Sequence, residues 1–144
     1  MDDLTVLPVD IDSNLKDQIR AAFDNAVDDI GFYEYAYIKN KMAAKLSVIS
    51  NVPLPWVSKL ACYYEACFGL LDRNVPVAME LTSEGVRLLG AALFYFINPY
   101  DVIPDMTPEI GYADDYYVFV LSIKALCKSD RDVVLGVFSQ ECSA

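Results

Sequence analysis

Apolar positions recur at steps of three and four along most of the chain, the period of a helix that buries one face. Leu15, Ile19, Phe23, Ala26 and Ile30 form the first stripe, with Asp12, Ser13 and Asn14 as candidate N-caps before it and Gly31 as its stop. Tyr35, Ile38, Met42, Leu46 and Ile49 form a second, predicting a helix from about residue 32 to 50. Tyr33, Tyr35 and Tyr37 also alternate with period two and would share a face in a strand, but the lysine-rich continuation offers no strand partner, so helix is expected. Asn51-Val-Pro-Leu-Pro55 must break the chain, because proline lacks a donor and biases its predecessor away from helical angles. Pro55 then suits the first position of a third helix, striped by Trp56, Leu60, Tyr64, Cys67 and Leu71 and closed by Asp72-Arg-Asn74.

Pro76 opens a fourth helical region running to Ile97, with an interruption expected near Thr82-Ser-Glu-Gly85. From Leu88 to Ile97 it is apolar all round, apart from sites such as Gly90 that permit close approach, and a helix without a polar face belongs at the centre of a bundle. Residues 98–112 hold three prolines and a glycine and read as an ordered loop. Helical spacing resumes at Tyr116, Val120, Ile123 and Cys127, with Asp114 and Asp115 in the first turn, where carboxylates oppose the helix dipole. Ser129 and Asp132 resemble a capping box for a last short helix to about Cys142. The expected fold is all-α: a compact single-domain bundle of five or six helices over residues 1–144, with an acidic lead at 1–12 and a Pro/Asp-rich loop before the penultimate helix.

The loop carries a second signal. Pro99, Asp101, Pro104, Asp105, Pro108, Gly111, Asp114 and Asp115 follow the pattern P-x-D-x-x-P-D-x-x-P-x-x-G-x-x-D-D between two apolar helices. This resembles the YkvA-like family, a bacterial helical domain of unknown function, over about residues 86–126. Tyr100 and Thr107 stand where aliphatic residues are more usual in that family. The resemblance implies a helix, an ordered proline-aspartate loop and a second helix, and no established reaction. Two roles are open to the aspartates. Asp101, Asp105, Asp114 and Asp115 are weak candidates for a divalent cation site, since four hard oxygen donors would meet if the loop folded back over the helix start. The simpler role is structural: aspartate caps helices and bonds backbone N–H groups in turns, while spaced prolines fix the path.

Composition narrows the chemistry further. The 144 residues include no histidine, which removes Ser-His-Asp and Cys-His catalysis, histidine zinc sites and an imidazole pH switch. A formal charge of −10 argues against nucleic-acid binding, whose affinity comes from lysines and arginines that displace counterions. Cys62, Cys67, Cys127 and Cys142 show no C-x-x-C spacing and read as buried thiols of a reducing compartment. The first residues lack a basic start and an apolar run, so a cytoplasmic location is expected. The most apolar window is about ten residues, well short of the roughly twenty of a membrane span.

Charge and tyrosine suggest recognition. Residues 1–30 carry eight aspartates against Lys16 and Arg20, a local charge of −6, whereas residues 31–60 carry four lysines against Glu34, a local charge of +3. An acidic face speeds and orients the capture of a basic partner. Tyrosine offers large contact area with few torsions, and residues two apart on a helix lie about 200° around its axis, so Tyr33, Tyr35 and Tyr37 cannot all face the core. The candidate partner-binding residues are therefore Asp17, Asp24, Asp28, Tyr33, Tyr35, Tyr37, Tyr100, Glu109 and Tyr112, with Tyr63 or Tyr64 as further possibilities. The leading expectation is a non-catalytic binding protein without cofactor, most concretely an immunity protein that neutralises a toxin or enzyme with a basic cleft. Its competitors are a membrane-peripheral or structural helical module and an aspartate-based divalent-metal hydrolase.

Overall fold

Helix boundaries in the computed structural model follow the local chemistry of the chain; the structure describes residues 6–74, 80–97 and 112–142. Helix α1 spans Ser13–Asp29, and the Asp12 carboxylate caps it by accepting the Asn14 N–H at 3.2 Å. Helix α2 spans Phe32–Ile49 and α3 spans Pro55–Asn74, with proline at its first position as expected. Then follow α4 (Ser83–Ile97), α5 (Ala113–Ala125) and α6 (Lys128–Glu141). The fold is an all-α bundle of helices packed on one another.

Helix α4 lies at the centre, touching α1, α2, α3 and α5. Its lack of a polar face explains this, since each side must find an apolar neighbour. Leu89, Leu93 and Phe96 are fully enclosed, and the Phe96 ring stacks on Tyr64 of α3 at 4.3 Å between centroids. Gly90 is the close-approach site: a Cβ there would lie 2.7 Å from Cε1 of Tyr35 on α2. Arg87 leaves the same helix to donate to the Asp28 carbonyl at 2.8 Å, placing a cation at the C-terminal end of α1, where the dipole favours it. Arg131 does likewise for α5, reaching the carbonyls of Lys124 and Leu126 at 3.1 Å each.

The last helix departs from the capping box expected at Ser129. Its cap is Cys127, which makes no side-chain capping bond, and Asp132 pairs with Lys128 on the surface at 3.4 Å. The important carboxylate is Asp130, buried in the first turn of α6. It accepts the Thr82 N–H at 2.9 Å and the Thr82 hydroxyl, while the Thr82 oxygen accepts the Gly85 N–H at 3.0 Å. Thr82 thus caps α4 and Asp130 braces the cap. Helix α4 begins just past Thr82: Ser83, Glu84 and Gly85, expected in an interruption, are already helical, and the helix start expected at Pro76 lies outside the described residues. Gly85 leaves the room, because a Cβ there would collide with the Asp130 carboxylate. Asn74 makes a similar join at the end of α3: its amide donates to the Leu70 carbonyl and accepts the N–H groups of Glu80 and Leu81.

The cysteines also differ from expectation. Cys62 of α3 and Cys142, at the end of α6, form a disulfide with Cα atoms 5.9 Å apart. Cys67 is a buried free thiol and Cys127 an exposed one. Spacing could not reveal the bridge, since its two halves lie 80 residues apart and meet only because α6 packs on α3. With it goes the cysteine argument for a reducing compartment.

Candidate binding surfaces and the buried aspartates

Of the residues in the proline-aspartate motif, Asp114 and Asp115 fall within the described chain; Pro99, Tyr100, Asp101, Pro104, Asp105, Pro108, Glu109 and Gly111 lie outside it. Both aspartates are 0% exposed in the first turn of α5. The Asp114 carboxylate accepts the Tyr95 hydroxyl at 3.0 Å and the Asp115 N–H at 3.0 Å. Tyr64 donates its hydroxyl to the Asp115 carbonyl oxygen at 2.7 Å. Burial, with the nearby Asp115 carboxylate, pushes the Tyr64 phenol well above its ordinary range and keeps it a neutral donor. Asp114 through its carboxylate and Asp115 through its main chain thus tie α5 to α4 and α3. Among the described residues, no cluster of three or more carboxylates and thiols is placed to hold a metal ion.

Most tyrosines turn inward. Six of the nine described are buried: Tyr63, Tyr64, Tyr95, Tyr112, Tyr116 and Tyr117. Tyr112, expected on the partner-facing surface, instead lies under the Lys45 ammonium, 5.5 Å from its ring centroid. Tyr63 and Tyr64, also raised as surface candidates, are core residues, Tyr63 stacking on Phe119 at 5.1 Å. A phenol body is apolar enough to fill a core when its hydroxyl has a place to go. Tyr35 and Tyr37 are half-buried, Tyr37 against Phe94. Tyr33 alone of the nine is exposed, at 82%, as the helical geometry requires of at least one of the three.

Among the described residues two surface regions bring charged and aromatic side chains together. The first is the corner where α1 meets α2. Asp28 and Asp29 end α1 in solvent, and Phe32 and Tyr33 begin α2 with 80% and 82% exposure, their rings edge to face at 5.8 Å. Asp17 and Asp24 are exposed further back along the Asp28 face of α1. Phe32 also borders a groove of about 310 Å³ between α2 and α3, floored by Ile38, Phe68 and Leu71, with the Lys39–Asp72 ion pair (3.5 Å) on its rim. Phe32 is not among the residues expected on a binding surface; its place just past Asp28-Asp29-Ile30 is the signal in the sequence that could have marked it.

The second region is a groove of about 630 Å³ between α1 and α5. Lys16 and Arg20 reach it from α1 and Lys124 from α5, with Asp24 as the opposing charge. Arg20 donates to the Tyr117 hydroxyl at 3.2 Å, and the Lys16 ammonium lies 5.7 Å from the Tyr117 ring centroid.

With this geometry in place, the comparisons with known proteins bear on the α4–α5 half. Residues 86–121 match the model of a family described as a protein of unknown function (DUF1232). The DUF1232 match covers most of α4 and the first nine residues of α5, and so the central helix and the buried aspartate pair. It marks this part of the chain as similar to an uncharacterised helical domain family. No curated protein and no solved structure matches the chain. Among the described residues no helix is long and apolar enough to cross a membrane.

Proposed function

We propose that this protein is a non-catalytic docking domain that engages one protein partner through the α1–α2 corner, most concretely as an inhibitor that neutralises an enzyme with a basic cleft. The observation that carries the reading is the exposed Phe32–Tyr33 pair beside Asp28 and Asp29. Adjacent exposed aromatics form a patch, and large aromatics are the side chains that anchor interfaces. Flanking carboxylates would steer a cationic partner toward them, as Asp17 and Asp24 extend the same charge along α1. The narrower family resemblance, to bacterial YkvA-like domains, is likewise our reading of the loop pattern.

The test is co-purification of tagged protein from its native host, beside the Phe32→Ser/Tyr33→Ser double variant. A stoichiometric partner that is lost with the variant and weakened by salt supports the reading. A partner retained equally by the variant, or none at all, rejects it.

A further inference from the structure

The groove between α1 and α5 concentrates positive charge on a protein whose formal charge is −10. The other described cations with defined roles are already engaged: Lys39 with Asp72, Arg73 with Glu80, Lys128 with Asp132, and Arg87 and Arg131 with backbone carbonyls. Lys16, Arg20 and Lys124 form no ion pair with a carboxylate among the described residues. Arg20 feels Asp24 and Asp17 only at longer range. Counting Asp24, the groove lining carries a net charge of +2.

The hydrogen bonding at its centre is directional. Arg20 donates to the Tyr117 oxygen, so the Tyr117 hydroxyl proton is available to an acceptor arriving from the groove. The planar Arg20 fork has further N–H groups, and Lys16 and Lys124 approach from opposite helices. Beside these donors the wall is apolar, formed by Phe23, Val120 and Leu121. An inorganic anion would leave that wall in water.

We propose that the α1–α5 groove binds a small phosphomonoester, its phosphate held by Lys16, Arg20, Lys124 and the Tyr117 hydroxyl and its organic body resting on Phe23, Val120 and Leu121. A doubly charged phosphate matches the +2 lining, whereas a single carboxylate leaves one positive charge uncompensated. The groove volume, about 630 Å³, lies in the range of small-molecule sites. This site shares only Asp24 with the acidic face that runs to the α1–α2 corner, and its test does not depend on a protein partner.

The probe is phenyl phosphate, titrated calorimetrically into the full chain at fixed ionic strength beside phenyl sulfate, inorganic phosphate and phenol. Saturable binding of phenyl phosphate is expected, weaker for each comparison compound and falling as salt is raised. The exposed changes Arg20→Gln and Lys124→Gln should each weaken it by about tenfold, and Tyr117→Phe by a smaller factor, with unchanged helical circular dichroism. No saturable binding up to about 10 mM overturns the proposal. So does affinity untouched by the Arg20 and Lys124 changes. Phenyl sulfate binding as well as phenyl phosphate would refute the match to a dianion. Inorganic phosphate binding equally well would refute the role of the apolar wall, and phenol doing so would refute the role of charge.

Discussion

Replacing Asp130 with alanine probes the joint that fastens α6 to the start of α4. The change removes two acceptors, one from the Thr82 N–H at 2.9 Å and one from the Thr82 hydroxyl, at a site 1% exposed. Hydrogen bonds to a charged group contribute about 1.5–3 kcal/mol each, and the lost carboxylate had also favoured the first turn of α6 by about 0.3–1 kcal/mol. Thr82 is itself exposed, so water recovers part of this, and the expected net loss is about 3 kcal/mol. For a chain of this size that lowers the thermal midpoint by about 10 °C. Urea melts followed by circular dichroism measure the first quantity, thermal melts the second.

A companion change makes the reasoning sharper. Gly85→Ala in the natural background drives a Cβ into the Asp130 carboxylate and should destabilise. In the Asp130→Ala background that obstacle is gone, and the same change should stabilise α4 by up to about 1 kcal/mol through helix propensity. The sign of the Gly85 effect therefore reverses. A loss below about 1 kcal/mol for Asp130→Ala, or a Gly85→Ala effect of the same sign in both backgrounds, refutes the bracing role.

Three further outcomes are expected. The Cys62–Cys142 bridge closes a loop across a separation of 80 residues, so chain-entropy reasoning assigns it about 4.5 kcal/mol; urea melts of the Cys62→Ser/Cys142→Ser variant should show a loss of that order, and a loss under about 1 kcal/mol counts against it. Burial pushes the Cys67 thiol up to about 12 from 9.0, so the folded chain keeps a proton the unfolded chain releases; stability is full below pH 9 and falls as pH rises toward 12. Cys67→Ala in a Cys127→Ser background should flatten the urea-midpoint profile over that window by up to about 4 kcal/mol, and an unaltered slope rejects the assignment. Finally, Gly90→Ala should cost about 1–3 kcal/mol by displacing the Tyr35 ring, and Tyr35→Ala should relieve most of that penalty in the double variant.

What could be read from the chain was whatever short stretches decide. Proline at 55, the oxygen of Asp12 and the all-apolar run to Ile97 each act within a turn or two, and the helix positions and the central place of α4 follow from them. Spacing places Asp114 and Asp115 in a first turn, but their complete burial depends on Tyr64 and Tyr95 arriving from other helices. Long-range partners were invisible for the same reason. Ser129 and Asp132 have the spacing of a capping box, yet Asp130 between them is taken by Thr82, 48 residues earlier. Tyrosine misled because its body suits a core and its hydroxyl a surface, and only packing decides between them. The cationic groove was hidden by averaging: residues 1–30 sum to −6, and Lys16 and Arg20 acquire meaning only when α1 packs on α5 beside Lys124.

Because α4 satisfies its neighbours from within, the residues that cover the outside of α1 and the start of α2 carry little of the cost of folding. Asp17, Asp24, Asp28, Phe32 and Tyr33 stand in solvent, where substitutions usually change stability by no more than about 0.5 kcal/mol. The exterior can thus be rewritten residue by residue over an unchanged interior. A chain divided in this way can vary its exterior without first having to relearn how to fold.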